Sequence, residues 1–115
     1  MLSEHVEAIN VLSSPRLFGW RALIMDRLAK AAVPAIYQFP EMAEEGGLMG
    51  YGQRLSLSFR KLAILVDKIL RGAKPADLPV EQPKDFVLAI NLKTARALGL
   101  TVPPSLLVQA DKVIE

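Results

Sequence analysis

Residues 34–52 read PAIYQFPEMAEEGGLMGYG, and this stretch decides the predicted fold of the 115-residue chain. A short apolar run at 35–37 and a second one at 48–51 are separated by an acidic, helix-like pattern at 41–45 that two glycines terminate. The order strand, short helix, strand is typical of a parallel α/β sheet. The stretch therefore predicts an α/β fold in which the carboxyl ends of neighbouring strands meet at one edge.

Candidate binding residues stand where the predicted strands end, because ligands of open α/β sheets collect at the carboxyl ends of strands. Tyr37, Gln38 and Tyr51 hold these positions in the central stretch. Ser13 and Ser14 follow the first predicted strand and precede a proline. Ser14 is favoured as a helix N-cap, although a capping loop at a strand end can also contact a ligand.

The flanking sequence predicts two long helices and a proline-rich connection. The first helix covers 15–32, with a buried stripe at spacings of three and four that includes Trp20. The second covers 53–71 and has a main apolar face that includes Phe59. Three prolines within 73–84 favour an extended connection. The remaining predicted elements are strands at 8–13 and 86–92, short helices at 93–98 and 105–110, and an apolar pair at 113–114.

Composition restricts the class of protein. The chain is 51% apolar and 23% charged, which suits one small folded domain or part of a larger one. The net charge is only +2, and the sequence has no basic stripe interleaved with aromatic residues. Nucleic acid is therefore not expected as a partner. The absence of cysteine excludes disulfides and thiolate sites. The first ten residues lack the pattern of a signal peptide, and no apolar run is long enough for this segment to insert into a membrane.

No pattern of residues indicates catalysis or a cofactor. His5, the single histidine, is interpreted as a solvated side chain. Three glutamates cluster within 41–45, where a solvated face is favoured over acid–base chemistry. The run Gly50-Tyr51-Gly52 stands between a strand and a helix, but Leu55 replaces the third glycine of a dinucleotide fingerprint. These glycines are interpreted as residues that let the backbone turn sharply or swing.

Three segments resemble the substrate-binding proteins of ABC transporters: GGLMGYG at 46–52, VDKILRGAKPADLPVEQP at 66–83, and FVLAINLKTARALGLTVPPSLLVQADKVIE at 86–115. The resemblance is to the subgroup related to tryptophan/tyrosine-binding proteins, which has a type I periplasmic-binding-protein fold. It extends over nearly the whole chain. Such proteins are much longer, so the chain resembles a C-terminal fragment of them.

The resemblance implies two α/β lobes that hold a solute in the cleft between them, and a chain that contains part of a three-layer, parallel-sheet lobe. Residues 1–51 would belong to the second, C-terminal lobe. Residues 52–76 would form a crossing segment and a long helix of the first lobe, and 77–115 the return hinge and the end of the second lobe. The ligand-binding positions that it implies are Ser13, Ser14, Tyr37, Gln38 and Tyr51.

The implied function is solute binding for an ABC importer. The solute would be an amino acid or a small organic molecule, the partners would be permease subunits, and the full-length protein would be periplasmic, with no cofactor and no catalysis. Gln38 stands where related folds place an acid that binds the ligand's amino group, which leaves the identity of the solute open. The alternative is an effector-binding domain of a transcription regulator with the same fold. An enzyme of the nucleotide-binding type is disfavoured by the incomplete glycine fingerprint.

Overall fold

The computed structural model describes residues 6–115, so the interpretation of His5 lies outside the described residues. This part of the chain forms five strands, six α-helices and a short 3-10 helix at Pro75–Asp77. The strands are β1 (Ile9–Val11), β2 (Ala35–Tyr37), β3 (Met49–Gln53), β4 (Phe86–Asn91) and β5 (Lys112–Ile114). The helices are α1 (Pro15–Gly19), α2 (Arg21–Lys30), α3 (Pro40–Glu44), α4 (Leu55–Leu70), α5 (Leu92–Ala97) and α6 (Pro104–Leu107).

The five strands form one sheet in the order β1-β2-β3-β4-β5. All neighbouring pairs are parallel except β3 and β4, which are antiparallel. The predicted α/β class is confirmed, and the sheet that was predicted as parallel is mostly parallel. The antiparallel pair arises because β4 begins beside the end of β3, where Phe86 pairs with Gln53, and then runs back to pair Ile90 with Met49. The chain between these strands therefore leaves and rejoins the sheet at the same edge.

The three helices α1, α2 and α3 cover one face of the sheet. Tyr37 of β2 packs in a buried cluster with Leu28 of α2 and Met42 of α3. Phe18 of α1 meets Phe39 edge to face, with ring centroids 5.7 Å apart. Burial of this apolar surface is the main source of stability in a domain of this kind. The cluster holds the ends of β1 and β2, from which the candidate site is built.

The single helix predicted over 15–32 is two helices, because the helical conformation is interrupted between α1 and α2. Gly19 ends α1, consistent with the low helix propensity of glycine, and Trp20 has φ −100° and ψ 11°, outside the helical region. The Trp20 side chain is 57% exposed, and the Arg16 guanidinium carbon lies 6.0 Å from its ring centroid. The prediction that Trp20 belongs to the buried stripe is therefore wrong.

The long helix α4 projects away from the sheet. None of its sixteen residues is buried by residues 6–115, and Phe59 on its predicted apolar face is 66% exposed. The radius of gyration is 17.3 Å, whereas a compact domain of about this length has one of about 13 Å. This is the geometry that a crossing helix needs. The assignment of 1–51, 52–76 and 77–115 to two lobes stays a prediction.

Candidate functional site

A depression opens at the carboxyl ends of β1 and β2, where the sequence predicts the binding site. Its volume of about 410 Å³ falls within the range of about 300–1,000 Å³ that small-molecule pockets occupy. Four of the five predicted binding residues border it, namely Ser13, Tyr37, Gln38 and Tyr51. The structure brings these residues together, and their role in binding stays a prediction.

The exposed Gln38 follows β2 directly, and β3 holds its backbone in place. A Cβ atom added to Gly52 would overlap the carbonyl oxygen of Gln38, and one added to Gly50 would overlap the carbonyl oxygen of Phe39. Neither glycine has a positive φ, so a sharp turn is not the reason for them. The two glycines instead let β3 lie directly against the loop that carries Gln38, which corrects the interpretation made from the sequence.

Tyr51 presents an aromatic surface beside the depression. Its ring stacks on that of Phe86, with centroids 5.7 Å apart and an interplanar angle of 26°. Tyr51 is 53% exposed and Phe86 is 50% exposed. The antiparallel pairing of β3 with β4 brings the two rings together, which local sequence pattern does not reveal. A flat aromatic pair at this position can stack against a planar solute group.

Tyr37 borders the depression, but its ring serves the core. The side chain is 3% exposed and packs on Gly47, because successive residues of β2 point to opposite faces and Tyr37 shares the face that the helices cover. Burial raises the pKa of the Tyr37 phenol above its ordinary value. Tyr37 thus supports the site from behind, while Ile36 faces the open side.

Ser14 lies beside the depression. It occupies the N-cap position of α1, as predicted, but its side chain makes no capping hydrogen bond within the described chain. Together with Ser13, Leu17 and Gln38 it lines a narrow pocket of about 10 Å³, too small for a solute. Ser14 is therefore placed next to the predicted site without forming part of its main depression.

Asn10 is a polar residue that the sequence reasoning missed. It is exposed in the middle of β1 and borders the depression, where its alignment with Ile36 of β2 places it on the open face of the sheet. The signal was present in the sequence, since a single amide interrupts the apolar run AINVL at an alternate position. A second amide beside Gln38 enlarges the hydrogen-bonding capacity of this surface.

The glutamates within 41–45 form more contacts with the rest of the fold than the predicted solvated face implies. Glu44 Oε1 lies 2.9 Å from Arg54 Nη2 and 3.0 Å from Lys112 Nζ, and the hydrogen bond from Arg54 is the main reason that the pKa of Glu44 is lowered. Glu45 pairs with Arg21 at 2.6 Å. These carboxylates therefore connect elements of the fold and do not line the depression.

Residues 6–115 lack two kinds of feature. No group of three or more carboxylate, histidine or cysteine side chains there is arranged to hold a metal ion. None of the helices in the same range combines the length and the apolarity that crossing a membrane requires.

The chain resembles solved structures over nearly its whole length. The ABC domain in complex with L-Trp from Streptococcus pneumonia is 29% identical, with a TM-score of 0.86, and the match covers 98% of this chain and 38% of that one. A conserved domain protein from Vibrio cholerae O1 biovar eltor is 24% identical, with a TM-score of 0.86, over 93% of this chain and 36% of that one. The ligand-free, open structure of a substrate binding protein with adhesive properties from Clostridium difficile shares the fold at 20% identity and a TM-score of 0.57, with the same coverage of 93% and 36%.

The family comparison agrees with the structural one. No curated protein matches the sequence. The chain spans well under half the length of the solved structures above. The family described as "ABC transporter substrate binding protein" matches residues 2–114, which is nearly the whole chain. The chain therefore belongs to the ABC transporter substrate-binding protein family.

Proposed function

We propose that this chain forms one wall of a solute-binding cleft in a two-lobe protein that delivers a small solute to an ABC importer. The observation that carries the proposal is that the depression and the departure of α4 share one edge of the sheet. β3 ends at Gln53, α4 follows at once, and β4 returns at Phe86 beside the same point. A second lobe attached through α4 would stand at the edge where Ser13 and Gln38 lie.

The chemistry of the depression favours an uncharged or zwitterionic solute with a planar group. Its border offers a hydroxyl from Ser13, amides from Asn10 and Gln38, and the exposed ring of Tyr51, but no charged side chain. An amino acid is consistent with this set, and the relative from Streptococcus pneumonia is in complex with L-Trp. The charged groups of such a solute would then be neutralised by the opposite lobe.

The proposed mechanism is binding followed by closure, with no chemical step. Closure of two lobes around a hinge is a common response to a bound solute, and it buries the solute's polar groups against protein donors and acceptors. The closed form would then dock on the permease subunits of the importer. The full-length protein would act outside the cytoplasmic membrane, in the periplasm or its equivalent.

The experiment compares the 115-residue chain with a protein extended upstream to the length of the solved relatives. Isothermal titration calorimetry with amino acids and small organic acids would be run on both. We expect binding by the longer protein only, because the chain alone supplies one wall of the cleft. A ligand present at 100 times its Kd should stabilise the longer protein by about 2.7 kcal/mol in a thermal melt. Micromolar binding by the 115-residue chain, or no binding by the longer protein, would refute the proposal.

A further inference from the structure

The first turn of α4 is capped by a side chain that is distant in sequence. Glu41 Oε1 accepts a hydrogen bond from the backbone N–H of Leu55, the first residue of α4, at 3.0 Å. Arg54 occupies the N-cap position but makes no side-chain capping bond. The first N–H groups of a helix lack hydrogen-bond partners within the helix, and the positive end of the helix dipole lies there and attracts a carboxylate. Glu41 therefore supplies from α3 the acceptor that the local sequence lacks.

A second glutamate of α3 holds the residue immediately before α4. Glu44 Oε1 accepts a hydrogen bond from Arg54 Nη2 at 2.9 Å, and Lys112 Nζ of β5 lies 3.0 Å from the same oxygen. The side chains of Glu44 and Arg54 are 28% and 27% exposed, so this pair is partly shielded from solvent. Successive residues at the exit from β3 are thus both bound to α3.

The helix α3 is itself firmly attached to the sheet. Ala43 is fully buried, and its carbonyl oxygen accepts a hydrogen bond from Asn91 Nδ2 of β4 at 2.9 Å. Directly after α3, Glu45 pairs with Arg21 of α2. Since no residue of α4 is buried within the described chain, the direction of α4 depends on a few surface contacts, which are those at its first turn and the ion pair of Lys61 with Asp85 at 3.4 Å.

We propose that Glu41 and Glu44 are positioning residues that fix the direction in which α4 leaves the sheet. On the proposed two-lobe function, on which this consequence rests, α3 would set the resting angle between the lobes. A change at the edge of the sheet near Gln38 would reach the crossing helix through the same short helix, because only Phe39 separates Gln38 from α3.

The test measures the direction of α4 by the distance between two spin labels. The chain contains no cysteine, so labels can be attached at Lys68→Cys near the end of α4 and at Lys93→Cys on α5. Both lysines are exposed. Double electron–electron resonance on the 115-residue chain gives the distribution of distances, and circular dichroism of every variant checks that it is folded.

We expect Glu41→Ala and Glu44→Ala to broaden or shift the distribution. Glu41→Gln should preserve the parent distribution, because the amide oxygen still accepts the hydrogen bond from Leu55. Glu45→Ala is the matched control, since it removes the carboxylate directly after α3, which contacts α2 and not α4. It should leave the distribution unchanged.

Parent-like distributions for folded Glu41→Ala and Glu44→Ala would overturn the inference, as would an equal broadening by Glu45→Ala. If Glu41→Ala does not fold, Glu44→Ala compared with the Glu45→Ala control decides the matter. The readout involves no solute. A failure here therefore leaves the proposed binding function standing, and a failure of solute binding leaves this result standing.

Discussion

Replacing Gly52 by alanine tests the contact that holds the candidate site together. Gly52 lies in β3, and a Cβ atom there would overlap the carbonyl oxygen of Gln38. The obstructing atom belongs to the backbone, so a side-chain rotation cannot remove the overlap. The loop after β2 or the strand β3 must move, and either movement disturbs both the sheet and the position of Gln38.

The magnitude follows from two opposing effects. Forcing an extra methyl group into a tightly packed site costs about 1–3 kcal/mol, and a backbone obstacle favours the upper part of that range. Alanine also reduces the freedom of the unfolded chain, which returns about 0.4–1 kcal/mol. We therefore expect Gly52→Ala to lower the free energy of unfolding by about 1–2 kcal/mol. For a domain near this size that corresponds to a fall in Tm of roughly 4–16 °C.

Thermal unfolding followed by circular dichroism measures this change, and Gly19→Ala is the matched control. A Cβ added to Gly19 meets no atom within 4 Å, and Gly19 does not have a positive φ. Gly19→Ala should be neutral or stabilise the chain by up to about 1 kcal/mol. A Gly52→Ala variant that melts at or above the parent temperature would refute the reasoning about the close approach of β3 to the Gln38 loop.

Three further predictions concern α3, α4 and the depression. Because Arg54 lowers the folded-state pKa of Glu44, the contribution of Glu44 to stability is present above the ordinary glutamate pKa and is lost as the pH falls through the lowered value. Glu44→Gln should therefore flatten this part of an acid-unfolding curve. An unchanged curve would contradict the role assigned to Glu44. Phe59→Ser should change the free energy of unfolding of the 115-residue chain by less than about 0.5 kcal/mol, whereas Ile90→Ala, at a residue that is 0% exposed, should lower it by about 2–5 kcal/mol. Chemical denaturation measures both changes. Equal losses of unfolding free energy in the two variants would show that α4 packs on the core. In the longer protein, Gln38→Ala should weaken solute binding with little change in Tm, and unchanged affinity by calorimetry would remove Gln38 from the site.

Local patterns were sufficient for the framework of the fold. The alternation of apolar runs with glycine and proline breaks located β2, α3 and β3 to within about two residues, because these signals act over a few neighbouring positions. The same rule for strand ends placed Ser13, Gln38 and Tyr51 around one depression. The depression lies at the strand ends because parallel strands share one carboxyl edge.

Features that depend on distant contacts could not be predicted. The direction of β4 relative to β3 depends on where the chain returns after α4, and a strand pattern contains no such direction. The capping of Leu55 by Glu41 joins residues fourteen positions apart, outside any capping motif. The reason for Gly52 was misjudged because a close backbone contact leaves the same sequence signal as a turn. Asn10 could have been found, since alternation alone places it on the open face.

The central claim is that α4 leaves the sheet and does not belong to its core. Amide hydrogen exchange measured residue by residue on the 115-residue chain tests this most directly, because protection reports how far each element depends on the packed core. The account predicts that amides of α4 between Phe59 and Ile69 exchange well before those of Ala89 and Ile90 in β4. Equal protection of α4 and β4 would contradict it, since the helix would then be packed into one closed globule with the sheet.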